Sequence, residues 1–148
     1  MSDIEYALNM AANIKGAFAV ALVDYDSGMT LGSRGGSAEF DLDVAAPGNS
    51  EVVRAKLDIM EKLGLRETIE DILITLDTQY HLIRPIASQT DDKLFFYLAL
   101  NRAQANLAMA RRDLRVIVQR FYIDDPSSTP DPIQANGGQA FFPAPGRR

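Results

Sequence analysis

Chemistry in a protein of this composition has few places to start. His81 is the only imidazole among 148 residues, and there is no cysteine. A nucleophile such as Ser27 or Ser88 would have to meet His81 in space for the pair to work. His81 sits in Gln79-Tyr80-His81-Leu82-Ile83-Arg84-Pro85, a strand-like run, where an unpaired histidine is read as a packed or hydrogen-bonded structural residue. The carboxylate pairs Glu70-Asp71 and Asp91-Asp92 are sequence neighbours. Adjacent positions do not face each other across a cleft, so they are read as solvated turn charges. Asp26-Ser27-Gly28-Met29-Thr30-Leu31-Gly32 contains glycines but links two strand-like runs. A phosphate loop instead opens a helix, whose N–H groups aim at the anion. No acid, base and nucleophile assemble, and no cofactor or metal is implied. A hydrolase built on His81 would lose all turnover as His81→Ala.

Composition narrows the classes further. Zero cysteine excludes disulfide frameworks, iron–sulfur clusters and zinc ribbons. The net charge of −5 argues against a nonspecific nucleic-acid binder, which needs a basic footprint. Met1-Ser2-Asp3-Ile4-Glu5 is acidic and Ala17 to Val23 is the longest apolar run near it, so neither a signal peptide nor a membrane span is expected. A cytoplasmic location is expected.

The elements that must position any site are read from periodicity. A body of 1–123 precedes a segment, 124–148, that holds five of the seven prolines and Gly137, Gly138 and Gly146. That composition predicts a disordered tail, with Phe141-Phe142-Pro143 its one sticky element. In the body, Ile4, Leu8, Ala11 and Ile14 predict a helix over 3–14. Ala17–Val23 is apolar on both faces, which predicts a central strand covered twice, with an alanine face that a helix can approach closely. Asp24 to Gly28 is a turn and Met29–Ser33 a short second strand. A second helix is predicted after Pro47-Gly48, capped by Asn49 or Ser50 and running to Leu63 with Gly64 as its stop. Three more strands are predicted at Ile72–Thr78, Tyr80–Ala87 and Lys93–Leu100, with Pro85 at a strand end, bulge or free edge. A last helix covers 102–121 through Ala103, Leu107, Ala110, Leu114, Ile117 and Phe121. The sum is an α/β (α+β) sandwich: a five-stranded, mainly antiparallel sheet in the order α-β-β-α-β-β-β-α.

Two surfaces suit partners better than substrates. On the second helix, Val52, Ile59 and Leu63 form one apolar cluster and Val53, Leu57 and Met60 another. Together they span roughly 160°, wider than one-sided packing needs, so one cluster meets the sheet and the other another chain. The last helix carries Arg102, Arg111, Arg112, Arg115 and Arg120 against Asp113. These could dock an acidic partner, but a solvated face is the preferred reading.

Ala17–Ser33 (AFAVALVDYDSGMTLGS), Asn49–Leu65 (NSEVVRAKLDIMEKLGL), Ile69–Pro85 (IEDILITLDTQYHLIRP) and Ala105–Leu114 (ANLAMARRDL) resemble the bacterial Roadblock, or dynein light-chain roadblock-like, family, most of all its actinobacterial members. The resemblance spans residues 3–121. It implies a Roadblock/profilin-like fold with strand order 2-1-5-4-3, the second helix on one face and the first and last on the other. It implies a homodimer in which third strands pair edge to edge and second helices pack together, using Val53, Leu57, Met60, Ile72, Ile74 and Leu76. It also implies a non-enzymatic regulator of a small Ras-like GTPase, a GTPase-activating protein among them. An adaptor that assembles a sensor kinase with a GTPase is the alternative. Neither nucleic acid nor membrane insertion is implied, and the family pattern does not account for the Pro-rich segment.

Overall fold

The computed structural model describes residues 3–86 and 93–123. Ser88, Asp91, Asp92, the end of the expected fourth strand at Ala87 and the whole expected tail 124–148 lie outside them.

α1 (Asp3–Ala12) leads into β1 (Ala17–Asp24) and β2 (Thr30–Gly35). α2 (Leu42–Lys62), β3 (Ile72–Thr75), β4 (Gln79–Pro85), β5 (Leu94–Asn101) and α3 (Leu107–Ile123) come next. The strands form one antiparallel sheet in the order β2-β1-β5-β4-β3. β1 and β5 are therefore internal, which explains why both of their faces are apolar. β2 and β3 are the edges.

Period-two alternation sends each strand's residues to two separate cores. Val20, Leu22, Leu82, Phe96, Leu98 and Leu100 point to one face, where Ala7, Leu8 and Ala11 of α1 and Ala110, Leu114 and Ile117 of α3 cover them. Ala19, Ala21, Val23, Ile83, Phe95, Tyr97 and Ala99 point to the other, under Leu42, Ala46 and Val53 of α2. The alanine face of β1 is the one α2 approaches. Pro85 closes β4 opposite Phe95, at the strand end where its missing N–H costs least.

The β1–β2 connection is a side-chain-stabilised turn. The Asp24 carboxylate accepts from the N–H groups of Asp26 (2.8 Å) and Ser27 (3.3 Å), and Gly28 takes φ of 80°. The Ser27 hydroxyl accepts from Met29 N–H at 3.1 Å. The glycine-containing loop is thus a hairpin turn, and Ser27 is engaged in holding it.

Two helix starts differ from the expectation raised by residue patterns. α2 begins at Leu42, not after Pro47-Gly48. Asp41 caps it, accepting from Asp43 N–H at 2.9 Å. Pro47 and Gly48 then lie inside the helix, where their intrinsic cost is offset by burial of Leu42 and Ala46 against the sheet. Asp41→Ala should lower stability by about 1 kcal/mol in urea denaturation. At the other end Gly64 N–H bonds Glu61 C=O (3.0 Å) and Leu65 N–H bonds Met60 C=O (2.9 Å) around Gly64 at φ 71°, a Schellman stop. α3 begins at Leu107 and not at 102. Asn101 folds its side chain onto Ala103 N–H (2.9 Å) and makes a turn, leaving Ala103 exposed. Asn106 is the cap, accepting from Met109 N–H at 3.1 Å.

Candidate functional site

His81 faces α2 from β4, and both of its ring nitrogens are occupied. Nε2 lies 2.7 Å from Gln79 Oε1 and Nδ1 lies 3.1 Å from the Tyr97 hydroxyl. A neutral ring satisfies both, with Nε2–H donating to Gln79 and Nδ1 accepting from Tyr97. Phe40 and Tyr97 meet the ring edge-on, centroids 5.6 and 5.5 Å away. Burial lowers the His81 pKa from its ordinary value. Burial also pushes the Tyr97 hydroxyl up to about 12, against a smaller opposing effect of a hydrogen bond with Asn49. This is a packed polar cluster whose members satisfy one another.

The cluster has a pH consequence. The folded state holds His81 below its unfolded pKa of about 6.5. At higher pH both states leave the ring neutral. As pH falls through about 6.5 and on toward the lowered folded value, the unfolded chain takes the proton first and stability falls. Thermal melts between pH 7.5 and 5.5 should show wild type losing more stability than His81→Gln.

Several charged groups find partners within the chain. Asp71 is the acceptor of a bidentate bond from Arg111, with both N···O distances 2.9 Å and its side chain only 8% exposed. The expectation of Glu70-Asp71 as a solvated pair fails at Asp71, because α3 passes over the segment leading into β3. Arg102 donates to Leu76 C=O at 2.7 Å and stands 5.1 Å over the Tyr80 ring. Arg112 pairs with Asp113 at 3.1 Å. On α2, Lys62 meets Asp58 at 3.0 Å, while Arg54 turns to the Tyr25 carbonyl. Among the described residues no group of three or more His, Asp or Glu could hold a metal ion, and no helix is long and apolar enough to cross a membrane.

Open apolar surface remains on the α2 side. α2 packs chiefly on β1, with β2 beside it, so the far end of the sheet is less covered. Ile72 and Ile74 of β3 pair with Ile83 and His81 and share their face. Both are half-buried, and Leu76 just past the strand is exposed. β3 is an edge whose outer side has no strand partner among the described residues.

The two clusters of α2 now separate. Val53 is buried on the sheet, Leu57 packs half-buried against the same core, and Met60 is buried further along the same side of the helix. With Leu42, Ala46 and Ser50 they make one i, i+3/i+4 stripe. Val52, Ile59 and Leu63 are 38, 48 and 67% exposed and, with Ala55, form a second stripe facing solvent. The outward cluster is thus Val52, Ile59 and Leu63, the reverse of the expectation that Val53, Leu57 and Met60 face another chain. The signal lies in Leu42 and Ala46, which extend the Val53 register only if the helix starts at Asp41.

No family model matches the sequence, and no curated protein matches it either. Solved structures do match its fold. A Roadblock/LC7 domain from Streptomyces avermitilis superposes with TM-score 0.66 at 13% identity, over 80% of this chain and 94% of that one. MglB from Myxococcus xanthus gives 0.63 at 14% identity, over 81% and 89%. MglC from the same organism gives 0.54 at 21% identity, over 83% and 99%.

Proposed function

Taking as premise that the chain carries a roadblock-like domain, we propose that it is a non-catalytic, homodimeric regulator of a small Ras-like GTPase. The fold shared with a Roadblock/LC7 domain and with MglB and MglC supports the reading, and the resemblance of the sequence to Roadblock proteins implies the GTPase role. The observations that support the reading are the β3 edge, with half-buried Ile72 and Ile74 and exposed Leu76, and the exposed Val52, Ile59 and Leu63 on α2. An apolar edge with no strand partner among the described residues and an exposed helical stripe are each an aggregation hazard unless a partner covers them.

The dimer would use Ile72, Ile74 and Leu76 along the paired β3 edges. Leu57 would border the contact, with Val53 on the sheet and buried Met60 supporting it from the inner side of α2 and Val52, Ile59 and Leu63 meeting the second α2. A GTPase would then dock on the surface that the two α2 helices complete. The chain would act in the cytoplasm and need no cofactor. The second reading, an adaptor that joins a GTPase to a sensor kinase, uses the same surface.

Capture from native cytosol, split between a nonhydrolysable GTP analogue and GDP, separates the two. A small GTPase retained in one nucleotide state supports the regulator. Equal retention in both favours the adaptor, and retention of no GTPase contradicts both.

A further inference from the structure

The opposite side of the domain carries a second open apolar feature. α1 and α3 leave a groove of about 500 Å³ between them. Tyr6, Met10 and Val116, 45, 38 and 39% exposed, line it together with Phe121, Arg112 and Arg120. Large apolar side chains lining a groove are normally covered by something. Phe121 and Arg120 also stand near the end of α3, so the last described turn of the chain borders this groove.

The sequence beyond α3 is matched to the groove. Residues 124–148 contain one aromatic pair, Phe141-Phe142, with Pro143 and Pro145 after it. Those prolines restrict the unbound backbone and so reduce the ordering cost of docking. The intervening 124–140 carries Asp124, Asp125 and Asp131 and no Lys or Arg. The groove offers Arg112, already paired with Asp113, and Arg120, which has no ion pair among the described residues. Asp3 is the other acid of the lining.

We propose that Phe141-Phe142 of the same chain occupies the groove between α1 and α3. Phe141 lies 20 residues beyond Phe121, and a coil of that length has a root-mean-square span of roughly 25 Å. A 17-residue helix such as α3 is about 25 Å long, so the pair reaches any point of the groove. The tether places it there at an effective concentration in the millimolar range, so two phenylalanine side chains of modest affinity suffice. The docked segment covers Tyr6, Met10 and Val116.

Methionine methyl NMR on the full chain tests it. Met10 lies in the groove, Met60 is a buried residue of α2 and Met29 lies beside the β1–β2 turn. In the double variant Phe141→Ala/Phe142→Ala the Met10 methyl resonance should move while Met29 and Met60 stay. A Met10 resonance that does not move overturns the proposal, as does a variant in which all three move together. Unlabelled wild type is then added to the labelled variant. No return of Met10 toward its wild-type position is expected, and its return would mean that a second copy's segment fills the groove.

Discussion

Ile74→Lys should convert the protein from a particle of twice the 16.3 kDa chain mass to a monomer in light scattering. Ile74 sits in the middle of β3, the edge strand, on the face that α2 leaves least covered. In the proposed dimer two copies of this position approach across the two-fold axis, so the substitution brings two ammonium groups into an apolar contact. Burying an unpaired charge is among the most destabilising changes available to an interface. In the monomer Ile74 is only half-buried, and a lysine there can carry its ammonium group out to water. The fold should therefore survive, with circular dichroism unchanged. Ile59→Glu on the outer stripe of α2 should act in the same direction. A dimer that persists in both variants removes the β3 and α2 surface from the account.

The second large effect is on stability. Phe96→Ala should cost about 3–5 kcal/mol, a substantial share of the roughly 5–15 kcal/mol that holds a domain folded. Phe96 is fully buried in β5, between Leu22 of β1 and Arg84 of β4 in register. It also meets Phe121 of α3 in an edge-to-face contact, centroids 6.0 Å apart. Removing the ring empties the junction of the sheet with α3, and β5 has paired strands on both sides, so little can collapse into the space. Thermal melting should shift down by roughly 10–15 °C for a domain of this size. A shift of only a few degrees would mean that the core relaxes around the cavity.

Much of the fold is legible from residue patterns because the decisive signals are local. Ala17–Val23 and Leu94–Leu100 are apolar on both faces, and only internal strands need that. Asp24, Ser27 and Gly28 form a turn from their own side chains and φ preferences. The resemblance to Roadblock proteins adds the strand order, which the sheet reproduces. Helix starts are harder. Pro47-Gly48 breaks a helix by propensity, yet burial of Leu42 and Ala46 outweighs it, and burial is a tertiary quantity that no window of residues contains. The start of α3 is blurred because Ala103 fits the helical period as well as Leu107 does. Only the Asn101 side chain on Ala103 N–H and the Asn106 cap decide between them.

The candidate site is legible to a lesser degree for the same reason. Two apolar clusters on α2 are visible in the sequence, but their assignment depends on where the helix begins. Once Asp41 is its cap, the stripe from Leu42 through Ala46 and Val53 to Leu57 belongs to the sheet and Val52, Ile59 and Leu63 are left outward. The pairing of Asp71 with Arg111 spans 40 positions of sequence, and neither residue's neighbours announce it. His81 reads as structural from its strand-like context, and its contacts with Gln79, Tyr97 and Phe40 give that reading its physical content.

The most direct test of the central claim is the nucleotide cycle of a purified small GTPase captured by this chain. Its rates of GTP hydrolysis and nucleotide release would be measured alone, with wild-type chain and with the Ile74→Lys variant. The account predicts that wild type changes at least one of the two rates and that the variant leaves both at the level of the GTPase alone. Rates that wild type does not alter, despite demonstrated binding, would contradict a regulator and leave an adaptor in its place.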